Sequence, residues 1–94
     1  MAKYTATSKP ILVSSANKHR VSITFFNPNA VQVFIGKYTD IKADGTGNTL
    51  PLQPNGGSII EGPPKTYLGD FYIISSGADN DIFVFETNDS ETGA

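Results

Sequence analysis

His19 is the only histidine in the chain, and imidazole is the usual general base of enzymes. A nucleophilic site needs that base within hydrogen-bond reach of a hydroxyl or thiol, and oriented by a third group. His19 stands in the polar, turn-like stretch 16–20 and reads as a solvated loop residue. The carboxylates offer glycosidase chemistry as an alternative, since that reaction needs two carboxyls facing across a cleft. Only Glu61, Glu86 and Glu91 are glutamates, and a chain of 94 residues predicts little room for a cleft. Ligand clefts start at roughly 300 Å³. Glu86 ends an apolar run and is expected to face Arg20 or a lysine as a structural pair.

Asp79, Asn80 and Asp81, with Asp44 or Asp70, offer hard oxygen ligands of the kind calcium takes. The EF-hand spacing is absent, because Asp44-Gly45 lacks both the upstream carboxylates and the downstream glutamate. Asp and Asn also populate turns through local hydrogen bonds. Turn chemistry is the expectation, with a structural calcium near Asp79 and Asp81 as its alternative. The absence of cysteine removes disulfides, thiolate nucleophiles and cysteine-ligated zinc. Gly45-Thr46-Gly47 and Gly56-Gly57 do not join a strand to a helix at nucleotide-binding spacing, so they read as turn glycines. Asn88-Asp89-Ser90 matches a glycosylation sequon, but the polar start of the chain shows no apolar signal core that would make it usable. No catalytic residue, cofactor or metal is expected, and the chain is read as a non-enzyme.

The elements available to position any site are strands. No stretch sustains a helical apolar period, and six prolines and nine glycines divide the chain. Residues 9–13 form a first short β candidate. Along 20–27, Val21, Ile23 and Phe25 alternate with Ser22 and Thr24. Residues 27–30, with Pro28 at the second position, make a tight turn into 31–36, where Val31, Val33 and Ile35 share a face. These two runs are expected to pair as a hairpin. Turns at 44–48 and 54–57 flank a strand at 49–53, and residues 58–61 form another before the break at 62–64. Residues 71–75 read as a more fully buried strand. A loop at 77–80, expected to close a second hairpin, leads to the last strand, 81–87.

Six to eight short strands without a substantial helix predict an all-β fold, a small two-sheet antiparallel β-sandwich or jelly roll. The expected organisation is a polar N-terminal arm at 1–8, one domain at 9–87 and a polar tail at 88–94. The strands at 71–75 and 81–87 are apolar on both faces. A sandwich core covers only one of them, so the other is expected to meet a partner subunit. Phe83 and Phe85 are the residues concerned on the last strand. Tyr38, Tyr67 and Tyr72 join them as interface candidates, because tyrosine brings an apolar body and a polar tip. Tyr38 and Tyr67 lie beside turns and are also the residues that would stack on sugar rings.

The formal net charge of −2 and the scattered lysines and arginines leave no basic stripe for a phosphate backbone. Nucleic acid is therefore not an expected partner. The longest apolar runs are far too short to cross a bilayer as a helix, so no membrane partner is expected either.

The order of features from Arg20 to Glu86 resembles that of a known family. Arg20, Ile23, Phe25 and Asn27 lead through a short turn to Val33, Ile35 and Gly36. A glycine turn at Gly45 and Gly47 precedes Leu50 and the Pro54-Asn55-Gly56-Gly57 segment; Phe71-Tyr72-Ile73, Ser75 and Val84-Phe85-Glu86 follow. This is similar to small virion proteins of tailed bacteriophages, in particular head decoration (cement) and head-fibre base proteins. The resemblance implies a β-sandwich that forms a homo-oligomer, a trimer above all, and binds the major capsid protein. It implies a capsid decoration protein, made in the bacterial cytoplasm and carried on the virion, which stabilises the head by bridging capsid subunits. A carbohydrate-binding or host-adhesion module of a phage fibre, or a neck or tail ring component, are the alternatives. The resemblance carries over no individual functional residue, because its pattern marks strands and turns.

Overall fold

The computed structural model describes residues 2–42, 46, 49–62, 66–75 and 79–88. The expectations for Asp44, for most of the turn at 44–48, for Pro63 and Pro64, for Gly77 and Ala78, and for the tail beyond Asn88 lie outside them. Eight strands are described: β1 (Ala2–Ala6), β2 (Ile11–Ser14), β3 (Arg20–Asn27), β4 (Val33–Gly36), β5 (Thr49–Leu52), β6 (Gly57–Glu61), β7 (Phe71–Ser75) and β8 (Asn80–Asn88). They form two antiparallel four-stranded sheets, ordered β1-β8-β3-β6 and β2-β7-β4-β5. The all-β two-sheet sandwich expected from alternation is the fold.

The pairing has a simple logic. β1 pairs with β8, β2 with β7, β3 with β6 and β4 with β5, as in one long antiparallel ribbon turned back at the β4–β5 connection. Coiling that ribbon brings β3 against β8 and β4 against β7, which completes the two sheets. This is the jelly-roll arrangement. Every connection except β4–β5 consequently passes from one sheet to the other. Two hairpins expected from the sequence are therefore arches: β3 and β4 lie in different sheets, as do β7 and β8. Alternation tells which face a residue occupies and says nothing about which strand lies alongside.

Ile23 and Phe25 from β3, Val33 and Ile35 from β4, and Phe71 and Ile73 from β7 are buried in one core with Ile82 and Val84. Phe25 and Phe71 meet edge to face across it, ring centroids 5.1 Å apart. Ala2–Ala6, inside the stretch expected to be a polar arm, is edge strand β1; it sets Tyr4 opposite Ile82 and buries Ala6 completely. Val31 falls before β4 and is exposed, so it does not share the buried face of Val33 and Ile35. Val21 is exposed too, because the register of β3 on β8 shifts between Arg20 and Ser22. Such a bulge exchanges the two faces locally, and here it turns Arg20 inward.

Candidate functional site

Inward rotation of Arg20 creates a polar latch at one end of the sandwich. Its side chain is wholly covered and all five of its N–H donors are used. Nε donates to Glu86 Oε2 at 2.7 Å, and the two terminal nitrogens reach Tyr67 O, Gly69 O, Ser14 Oγ and Ser15 O. Its guanidinium also lies 5.0 Å from the centroid of the Phe71 ring. Glu86 accepts further bonds from Ser14 Oγ and Asn17 Nδ2. Partial burial works against ionisation of Glu86, but hydrogen bonds from Arg20 and Asn17 and the Arg20 charge outweigh it and hold the carboxyl below its ordinary value.

The latch fixes the segment between β6 and β7. Arg20 holds two of its carbonyls, Asn17 N–H donates to Leu68 O, and Ala16 N–H donates to Asp70 Oδ1 at 2.6 Å. His19 N–H donates to Asn17 Oδ1, which ties the backbone of the half-buried histidine into the same loop. Tyr67 rises from this segment and packs edge-on against Phe71 at 5.2 Å. Its ring lies so close over Gly69 that a Cβ there would collide with the phenol. Burial pushes the Tyr67 phenol above 10.0, and Tyr38 adds to the rise while Lys37 opposes it. The group is therefore a neutral O–H donor at physiological pH.

The wall so held faces the loop that leaves β4. Two adjoining hollows open there, of about 360 and 390 Å³, sharing Lys37 and Tyr38. The first has Ile35, Phe71 and Leu50 beside Glu61; the second has Tyr67, Tyr72, Thr39 and Asp70. Three of the five residues picked out from the sequence, Tyr38, Tyr67 and Tyr72, thus come together from separate segments. Tyr38 is 58% exposed, whereas Tyr67 and Tyr72 are half-buried. So small a domain is expected to leave little room for a cleft, yet hollows of this size form, because Lys37, Tyr38 and Thr39 after β4 and the latched 66–70 segment build walls beyond the sheets. Carboxylates also accompany the tyrosines, as the sequence did not suggest. Glu61 Oε2 lies 3.2 Å from Lys37 Nζ, and that ammonium sits 4.5 Å from the Tyr67 ring centroid. Asp70 Oδ2 is 3.5 Å from the Tyr72 hydroxyl.

Phe83 and Phe85 lie elsewhere, on the outer face of β1-β8-β3-β6. Phe83 stands opposite Phe26 of β3, and the two rings tilt together at 6.5 Å. Phe85 stands opposite Thr24, whose other neighbour is Ile60 of β6. Ile60 is 68% exposed, Phe85 47% and Phe26 38%, so the sheet presents a contiguous apolar face. Phe26 and Ile60 escaped the sequence reading, although Phe25-Phe26 and Ile59-Ile60 in alternating strands each require one apolar side chain to point outward.

Among the described residues, no three His, Asp or Glu side chains gather as metal ligands. Asp81 accepts from Thr5 Oγ1 at 2.7 Å and pairs loosely with Lys3, while Asp70 serves the 66–70 segment. Asp70 and Asp81 therefore serve separate contacts, and Asp44 lies outside the described residues. No family model, no curated protein and no solved structure matches the chain.

Proposed function

We propose that this chain is a non-enzymatic structural protein of a bacteriophage particle, a capsid decoration (cement) protein. The observation that carries the reading is the apolar outer face built from Phe26, Ile60, Phe83 and Phe85. A face of this kind, on a monomer of only 10.0 kDa, is suited to burial against protein. The resemblance of Arg20–Glu86 to phage virion proteins supplies the setting. In this reading the chain is a homotrimer that reaches the virion surface from the bacterial cytoplasm and bridges neighbouring major capsid protein subunits. A contact of about 1,600 Å² is the usual size of a specific interface.

The test adds purified protein to heads of its phage that lack it. Retention through sedimentation and a raised temperature of head disruption are expected; heads that neither retain the protein nor gain heat resistance would overturn the reading. Light scattering after size exclusion should give three times 10.0 kDa.

A further inference from the structure

We propose that the paired hollows around Lys37 and Tyr38 bind a neutral saccharide, an activity that does not depend on the capsid reading and uses a different surface. Tyr38, Tyr67 and Tyr72 surround a shared space, with Leu50 exposed at its margin. The hollows measure about 360 and 390 Å³. Each falls within the roughly 300–1,000 Å³ of small-molecule sites.

The lining selects the ligand class. Lys37 is the only cation among the described lining residues, and it is already held by Glu61 at 3.2 Å and by the Tyr67 ring at 4.5 Å. An anionic ligand would have to break that pair and would meet Asp70. A cationic ligand would find Lys37 already over the Tyr67 ring and would be repelled by it. What is left favours an uncharged molecule with one flat apolar face and many hydroxyls. A pyranose ring is such a molecule: its C–H face stacks on the negative face of an aromatic ring. Its hydroxyls find acceptors in Glu61 and Asp70 and donor–acceptors in the tyrosine and threonine hydroxyls.

The site is also preorganised. Arg20 bonds Tyr67 O and Gly69 O, and Ala16 N–H bonds Asp70, so the wall bearing Tyr67 and Asp70 is held before any ligand arrives. Tyr38 is the adaptable member, 58% exposed on the β4–β5 connection.

The experiment screens the full chain on one array of neutral and charged bacterial surface polysaccharides and on a second of protein-linked glycans. Titration of the best neutral hit follows, with wild type, Tyr38→Ala and Phe85→Thr. Expected are a neutral glycan bound without salt dependence, an affinity at least tenfold weaker in Tyr38→Ala at an unchanged melting midpoint, and no change in Phe85→Thr. The array that lights up tells whether a cell-surface polysaccharide or a protein-linked glycan is the source. No signal on either array, binding confined to charged glycans, or full binding by Tyr38→Ala would each overturn the proposal. None of these results bears on head binding, which is read separately.

Discussion

Arg20 pairs with Asn88 and Glu86 with Ile23 in the ladder of β3 and β8, yet the side chains of Arg20 and Glu86 meet inside the end of the sandwich, Oε2 to Nε at 2.7 Å. The arginine is covered completely, so its charge depends on protein partners alone. Removing one member of a buried pair typically costs about 3–5 kcal/mol. Arg20→Ala is expected to fall in that range. For a chain of this length this lowers the melting midpoint by more than ~12 °C. Arg20→Lys should rescue little, because one ammonium cannot reach five acceptors in a planar fork. Thermal denaturation of both variants checks this, and a midpoint within a few degrees of wild type for Arg20→Ala would contradict the latch.

The same pair sets a pH dependence. Glu86 titrates below its ordinary 4.5 in the folded protein. A depressed carboxyl contributes stability that is present above the unfolded value and is lost as pH falls through the folded one. Stability is therefore expected to decline from about pH 4.5 downward. Glu86→Gln should be less stable at neutral pH and should show a shallower decline in that acid window. Melting curves between pH 2 and 7 measure both slopes; parallel curves would remove Glu86 from the explanation.

The opposite end of the sandwich is held by a neutral side chain. Asn27 is fully buried, donates to Val31 O and Leu52 O, and accepts from the backbone and side-chain nitrogens of Asn29. Its own carbonyl accepts from Gly56 N–H, in a turn where Asn55 and Gly56 both have positive φ. Each buried polar group left without a partner costs about 1–3 kcal/mol. Asn27→Asp, which keeps the shape but loses both donations, should destabilise by at least that amount in urea titration. A neutral result would show that the arch closes without it.

Asn27 also shows where sequence reasoning reaches its limit. Strand existence was legible: β3 spans Arg20–Asn27 and β7 spans Phe71–Ser75, the stretches that alternation and apolar runs mark. Pairing was not, because residues 27–30 look like a tight turn whether the next strand lies alongside or across the sandwich. The buried Asn27 carboxamide bonds Val31 O and Leu52 O at this arch, and burial of an amide has no local signature. In Ala2–Ala6 the apolar residues described in the core are Tyr4 and the small Ala6, too little pattern to separate an edge strand from an arm. For the site, Tyr38, Tyr67 and Tyr72 were visible as aromatics, Tyr38 and Tyr67 beside turns. Their proximity follows from the coiling of the ribbon and from an arginine that a bulge turned inward, neither of which residue types disclose.

Assembly through the apolar sheet face makes a prediction that stability does not. Phe85 and Phe26 project outward, so polar replacements remove little from the core. If the proposed trimer forms through this face, Phe26→Ser with Phe85→Thr is expected to give a monomer by light scattering and to abolish the proposed head retention. Its melting midpoint, extrapolated to low protein concentration, should match wild type at the same dilution. A double variant that remains trimeric would move the subunit contact away from this sheet.

Gly69 and Gly62 offer a matched pair within the connection from β6 to β7. A methyl group at Gly69 would run into the Tyr67 phenol, whereas one at Gly62 would meet Ser22 Cβ at 3.5 Å, an ordinary contact. Gly69→Ala must therefore displace the Tyr67 ring, which is packed edge-on against Phe71. Forcing a methylene-sized group into a packed site costs about 1–3 kcal/mol. Gly69→Ala is expected to lose stability in that range and to shift the ring proton resonances of Tyr67 and Phe71, while Gly62→Ala stays near wild type in both. Because Tyr67 walls the second hollow, Gly69→Ala should also change the affinity for any ligand held there. Gly62→Ala, equal in chemistry and seven residues away, should leave that affinity alone. Equal effects of the two variants on the Tyr67 resonances would mean that the ring does not rest on Gly69.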